Sequence, residues 1–251
     1  MALIEEMEQQ GNFLFKYRGI LPGIILFVGV ALFSYSEWKG EAQEDFGLFF
    51  DRFDQIIAIT ICLVGFALRI YTVGHTPKNT SGRNTKAQLA DELNTSGIYS
   101  IVRHPLYLGN FFMWLGVSVL TLNLWFILGF VLIFWLYYER IMFAEEQFLR
   151  RKFGDTYLDW ASKTPAFIPS LANWKPNPLP FNWKKVLVRE KTGFLAIFVV
   201  VFLFDLIEDS FKNRFITFDL DFWLVALIIS FSYYLFIKLF RRNLPFLNQG
   251  F

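Results

Sequence analysis

Five ionisable side chains stand at the edges of strongly apolar runs, where a charge is hardest to accommodate: Arg103 and His104, then Arg140, Glu145 and Glu146. Arg103 and His104 precede Pro105, which suits a first helical turn because its missing N–H would be unpaired there anyway. Such a helix start carries free amides and the positive end of the dipole, so it can hold a carboxylate or phosphate. Tyr107 adds an aromatic surface, and Gly109 a place where backbone can come close to a ligand. Glu139 and Arg140 fall in the last apolar turns of a later run, just ahead of Glu145 and Glu146. Ionisable groups at that depth are costly and usually face a bundle interior or a wet cavity. The plainer readings are a basic helix start with an interfacial Tyr, snorkelling by Arg140 and simple solvation of the two Glu.

Membrane helices must position these residues. The chain has 251 residues, 55% of them apolar and 18% charged, and its 32 Phe, 8 Trp and 10 Tyr make it unusually aromatic. That composition excludes disorder, and one Cys cannot form an internal disulfide. One Cys and two His leave no set for a metal centre. The net charge of +2 creates no field for nucleic acid. Apolar runs near the ~20-residue length of a span cover about 20–35, 56–73, 106–120, 124–142, 194–207 and 222–240. The fold class expected is an all-α polytopic bundle of about six spans. Thr121, Leu122 and Asn123 allow only a tight turn between the third and fourth, which makes them a hairpin. The first ten residues carry Glu5, Glu6 and Glu8 rather than a basic leader, and read as an interfacial segment.

Charge placement sets the orientation. With the N-terminus inside, only Lys39, Arg52, Lys212 and Arg214 of the 24 Lys and Arg fall in outer loops, against half of the acids. The positive-inside rule then puts both termini and both long polar segments in the cytoplasm, at a bacterial inner membrane or, in a eukaryote, the endoplasmic reticulum. One polar segment, 74–104, carries Lys78, Arg83 and Lys86 in a loop punctuated by Pro77 and Gly82. It reads either as an orientation signal touching anionic lipid or as a headgroup-binding loop for an anionic lipid. The other, 145–192, has Phe148, Leu149, Phe153, Tyr157 and Trp160 at helix-like intervals broken at Gly154. That pattern predicts one or two interfacial amphipathic helices, ended by a Pro-rich stretch. Because the hairpin is tight, Arg103 and His104 should emerge beside Glu139–Glu146. Arg69 reads as a snorkelling residue and Cys62 as a packing residue.

The Arg-His-Pro-x-Tyr-x-Gly motif at 103–109 and the Glu-Glu-x-x-Leu-x-x-x-Phe-Gly-x-x-Tyr motif at 145–157 together resemble the integral-membrane methyltransferases of the isoprenylcysteine carboxyl methyltransferase and phospholipid methyltransferase group. The resemblance covers about Ser96 to Pro169. It implies an S-adenosylmethionine pocket at the cytoplasmic end of the hairpin, within a core of residues 93–169. The helices of 193–240 are additional parts of a single membrane domain, 1–251. It also implies that Leu93, Asn94, Gly97, Tyr99, His104, Pro105, Leu106, Tyr107 and Glu145 line the cofactor. Arg140 is the nearest match to an acceptor-orienting Arg, although Ile141 occupies the position one turn before Glu145.

Methyl transfer from a sulfonium mainly needs alignment. An acceptor that is already anionic needs no base, and Arg140 or Arg103 could orient it by a two-pronged contact. An amine acceptor would make Glu145 or Glu146 a candidate base. Lys78 and Arg83 favour an anionic phosphate or carboxylate, for example a lipid A-type phosphate. A prenylcysteine carboxylate and phosphatidylethanolamine are the alternatives. Outside this class stand an NADPH-dependent sterol-type reductase and a non-enzymatic membrane protein. The expected partners are a lipid substrate and the bilayer, without nucleic acid.

Overall fold

The computed structural model describes residues 2–40, 54–77, 88–216 and 220–241. Lys78, Arg83 and Lys86 lie outside the described residues. Those that are described form an all-α bundle. Its helices are α1 (Leu3–Lys16), α2 (Ile20–Lys39), α3 (Asp54–His75), α4 (Pro105–Val119), α5 (Leu124–Phe153), α6 (Asp155–Ala161), α7 (Trp183–Asn213) and α8 (Phe222–Phe240).

Four of these, α2, α3, α5 and α8, are long and apolar enough to cross a membrane. Helix α4 has 15 residues and is about 22 Å long, short of a ~30 Å hydrocarbon core. It lies against α3, α5 and α7. The expected fifth span is the middle of the 31-residue α7, which carries charged turns at both ends. Large apolar side chains point outward from the spans: Phe27, Leu132 and Ile229 are all more than 60% exposed. In water such a belt would be a liability; in lipid it is the solvent-facing surface.

Inside the bundle, lipid offers no hydrophobic drive between helices, so close approach and dispersion decide the packing. Helices α3 and α4 meet along a seam of small residues. A Cβ on Gly65 would come 2.4 Å from the Gly109 carbonyl oxygen, and one on Gly116 would come 2.4 Å from that of Ala58. Two aromatic cores flank the seam. Phe33, Phe66, Ile197, Val201 and Phe204 fill one between α2, α3 and α7. Phe15, Phe130, Phe134, Tyr107 and Tyr138 fill the other between α1, α4 and α5.

The hairpin forms as the sequence predicts. Asn123 accepts from the Phe126 amide to cap α5, and Leu122 takes φ 49° in the turn. The interfacial helices differ from the expectation. Nothing breaks the chain before Gly154, so α5 runs unbroken from the membrane to Phe153, and only α6 is separate.

The Pro-rich stretch after α6 ends helical structure and becomes a strap along 97–104. The Arg103 and His104 amides donate to the carbonyls of Pro165 and Ala166, and the Ser170 and Gly97 amides pair with Ile101 and Lys175. Gly97 has φ 57°, and a Cβ there would sit 2.7 Å from Asn177 Nδ2. Only glycine combines that backbone with that contact.

Candidate active site

The hairpin delivers its charges to one place. Arg103 Nε donates to Glu146 Oε1 at 2.8 Å and its Nη2 to Oε2 at 3.3 Å, while Nη1 donates to the carbonyls of Ala161 and Thr164. Four of the five guanidinium N–H groups are thereby engaged, tying the start of α4 to α5 and to the strap. His104 is buried between the two acids, with Nε2 2.9 Å from Glu146 Oε1 and Nδ1 3.6 Å from Glu145 Oε2. Burial alone would lower its pKa, but hydrogen bonds and charge from Glu145 and Glu146 outweigh that and hold it above the ordinary imidazole value. The Tyr107 hydroxyl donates to Glu145 Oε1 at 2.6 Å, which fixes that carboxylate. Above them Trp160 Nε1 donates to the Tyr99 carbonyl.

These groups open onto a cavity of ≈ 510 Å³. Leu93, Asn94, Tyr99, Arg103, His104, Pro105, Leu106, Tyr107 and Glu145 all line it. Gly97 does not; it fixes the strap behind the wall. Arg140 is also absent from the lining. Its side chain is 3.7 Å from Glu139, and its carbonyl oxygen lies where α1 crosses at Gly11. Arg140 is thus not brought to the cavity with Arg103 and His104, whereas Glu145 and Glu146, further along α5, meet both of them.

The cavity continues inward from the mouth. Arg69 lines it and, instead of snorkelling, makes a two-pronged ion pair with Glu190 of α7, at 2.9 Å for both contacts; it also donates to Asn110 of α4 at 2.6 Å. Deeper still, Cys62, Met113, Val117, Ile197 and Val200 form an apolar wall. Arg69, Asn110, Trp160 and Glu190 were not singled out as site residues from sequence. The one signal available was Glu190, a lone acid among Lys184, Lys185, Arg189 and Lys191. Among the described residues, no group of three or more His, Cys, Asp and Glu side chains could hold a metal ion.

Comparison with known proteins shows what the chain is similar to. Residues 53–156 match the phospholipid methyltransferase family model. The chain is 30% identical over 209 residues to the cobalt-zinc-cadmium resistance protein CzcN of Cupriavidus metallidurans, covering 79% of this chain and 87% of that protein. It is 32% identical over 126 residues to protein-S-isoprenylcysteine O-methyltransferase of Xenopus laevis, covering 49% of this chain and 43% of the enzyme. With the enzyme of that name from Schizosaccharomyces pombe the identity is 42% over 78 residues, covering 31% of this chain and 33% of the enzyme. The chain thus spans less than half the length of either isoprenylcysteine enzyme. No solved structure matches it.

Proposed function

The chain belongs to the integral-membrane isoprenylcysteine carboxyl methyltransferase and phospholipid methyltransferase family, and on that footing we propose that it transfers a methyl group from S-adenosylmethionine to an anionic oxygen, carboxylate or phosphate, on a membrane lipid. The observation that carries this reading is one cavity with two characters: a polar mouth built around Glu145 and an apolar interior between α3, α4 and α7.

The mouth fits the donor chemically. The whole cavity, mouth and interior together, has a volume in the ordinary range of ligand pockets. A sulfonium cation suits the carboxylate of Glu145 and the aromatic faces of Tyr99, Tyr107 and Trp160, and Asn94 offers both a donor and an acceptor. Leu93, Pro105 and Leu106 supply the apolar surface that excludes water. When bound, S-adenosylmethionine supplies an electrophilic methyl: the C–S bond breaks as a C–O bond forms, sulfur keeps the electron pair, and a neutral thioether leaves.

This chain's own residues provide alignment. Tyr107 holds Glu145 in one orientation. His104, bridging Glu145 and Glu146, fixes the start of α4 against α5. Arg103 serves the same end through Glu146 and the strap, and with one N–H left uncommitted it is a framework residue more than an acceptor clamp. An oxyanion acceptor carries its own nucleophilic electron pair, so no residue has to remove a proton. The O-methyltransferase names of the isoprenylcysteine relatives support oxygen over nitrogen as the acceptor atom. The asymmetry of Lys and Arg along the sequence supports a mouth that opens to the cytoplasm.

The test is mass spectrometry of lipid extracts from membranes with and without the protein, beside titration of purified protein with S-adenosylmethionine and NADPH. We expect binding of S-adenosylmethionine and one lipid species heavier by one methyl. Binding of NADPH alone would overturn the proposal.

A further inference from the structure

The Arg69–Glu190–Asn110 junction has no part in the reading so far beyond being in the cavity wall. Its placement is specific. The inner ends of α3 and α7 are joined: the Asn182 amide donates to the Gly74 carbonyl at 2.8 Å, and Lys185 Nζ donates to that of Thr76 at 2.6 Å. Counting inward from the helix ends at His75, Pro105 and Trp183, Arg69, Asn110 and Glu190 each lie about 7–11 Å deep. Three helices therefore bring a guanidinium, an amide and a carboxylate to one level, between the polar mouth and the apolar wall.

A charge pair at that level needs a reason. The Arg69 side chain is 19% exposed and that of Glu190 only 4%. Ions taken out of water cost several kcal/mol each, and a buried pair rarely stabilises more than well-packed apolar side chains would. Nor do the helices need it to associate, since the glycine seam joins α3 to α4 and Phe66, Ile197 and Val201 pack α3 against α7. The hydrogen bonds point to binding instead. Glu190 takes Nε and one N–H of Nη2, and Asn110 takes one N–H of Nη1. One N–H remains on each terminal nitrogen. Two such donors are what a two-pronged contact to a carboxylate or phosphate requires. Arg103, with a single N–H left, cannot offer that, and Arg140 does not reach the cavity.

We infer that Arg69, held in plane by Glu190 and Asn110, binds the anionic head of the lipid acceptor, and that the apolar wall beyond it takes the acceptor's hydrocarbon chain. This rests on the methyltransferase reading and deepens it. Arg69 touches the acceptor, whereas Glu190 is a positioning residue that acts through Arg69. Since Glu190 lies beyond the segment matched by the family model, acceptor choice in this chain depends on α7.

The test uses the full chain in detergent micelles with three lipid probes: S-farnesyl-N-acetylcysteine as a carboxylate, phosphatidic acid as a phosphate and phosphatidylethanolamine as an amine. Native mass spectrometry reads the ratio of anionic to ethanolamine probe retained, because a merely structural loss lowers both alike. The wild type should retain an anionic probe preferentially, and which one identifies the headgroup. Arg69→Lys, which keeps the charge and loses the fork, should lower that ratio about tenfold, with Arg69→Gln/Glu190→Gln lowering it further. Glu190→Gln should lower it less, with probe binding still detectable. Donor affinity, measured by calorimetry, should stay within about twofold of wild type in all three, since no contact to the mouth is lost. Four results would overturn the inference: equal ratios in wild type and variants, preference for phosphatidylethanolamine, no anionic probe retained by the wild type, or donor affinity falling in step with the probe. Failure of the wild type to bind S-adenosylmethionine would sink the methyltransferase reading instead, and leaves the probe ratio to be judged on its own.

Discussion

Two charged clusters line the same cavity, and they are built in opposite ways. At the mouth, Arg103 and His104 meet Glu145 and Glu146 across a hairpin, and backbone carbonyls of the strap complete the set. Further in, Arg69 meets Glu190 across 121 residues of sequence, with one side-chain amide as its other partner. The mouth cluster is nearly saturated: Arg103 has one free N–H, and His104 uses both ring nitrogens. The inner cluster keeps two N–H groups open. Saturation suits a framework that would hold still around the proposed soluble donor. Unused donors suit a surface that exchanges partners. One cavity thus joins a finished site to an unfinished one.

The contrast can be broken at either end, and the largest effect should come from Glu145. Glu145→Ala removes a charged acceptor facing the mouth and leaves the buried Tyr107 hydroxyl unpaired. We expect donor affinity to fall about tenfold to a hundredfold, with the anionic-probe ratio unchanged. Calorimetry and probe retention on the same preparation would check this mirror image of the Arg69 variants. If Glu145→Ala altered the probe ratio as strongly as the donor affinity, the division between the two ends would be wrong.

Next comes Arg103→Ala, which removes the side-chain tie from the start of α4 to the strap and takes the guanidinium from Glu146. Loss of charge-assisted bonds at a partly buried site should cost about 2–3 kcal/mol. The strap should be cleaved by protease in the 161–170 region before the bundle melts. Thermal unfolding and limited proteolysis would read the two effects separately.

The smallest effect is in the pH profile. His104 has a folded-state pKa above its unfolded value, so protonation favours the folded chain. That stabilisation is fully present below about pH 6.5, the unfolded value, and is lost as pH rises through the elevated folded pKa. Lys185 has the opposite sign. Burial, together with Arg189, pushes its pKa down to about 8, so its charge costs stability below that pH and the cost is relieved between there and about 10.4. Melting temperature should therefore decline from neutral pH upward less steeply in His104→Gln than in the wild type. An unchanged slope would remove the imidazole from the mouth's electrostatics.

The same contrast explains what was legible in the sequence. The hairpin could be read because three residues, Thr121 to Asn123, leave its helices one way to lie. Its charges then had to emerge together, as Arg103, His104, Glu145 and Glu146 do. Arg140 was misplaced because depth along a helix is visible in sequence while azimuth is not. Glu145 lines the cavity and Glu146 pairs with Arg103 and His104 behind it, whereas Arg140 on the same helix is outside the lining, its side chain near Glu139. Arg69 read as snorkelling because its partner lies 121 residues away in a stretch that looks like an ordinary basic inner loop. The strap was invisible for another reason: prolines announce the end of a helix and say nothing about where the extended chain goes next. That course is set by Gly97 and by the carbonyls of Pro165 and Ala166.

The glycine seam between α3 and α4 has a consequence for how the proposed lipid acceptor would get in. With backbone oxygens where a methyl group would have to stand, those two helices have no room to slide, and prying them apart would forfeit contacts along their whole shared length. They behave as one plank, carrying Arg69 on one half and Asn110 on the other. A long-chain acceptor of the kind proposed would meet a closed wall along that seam.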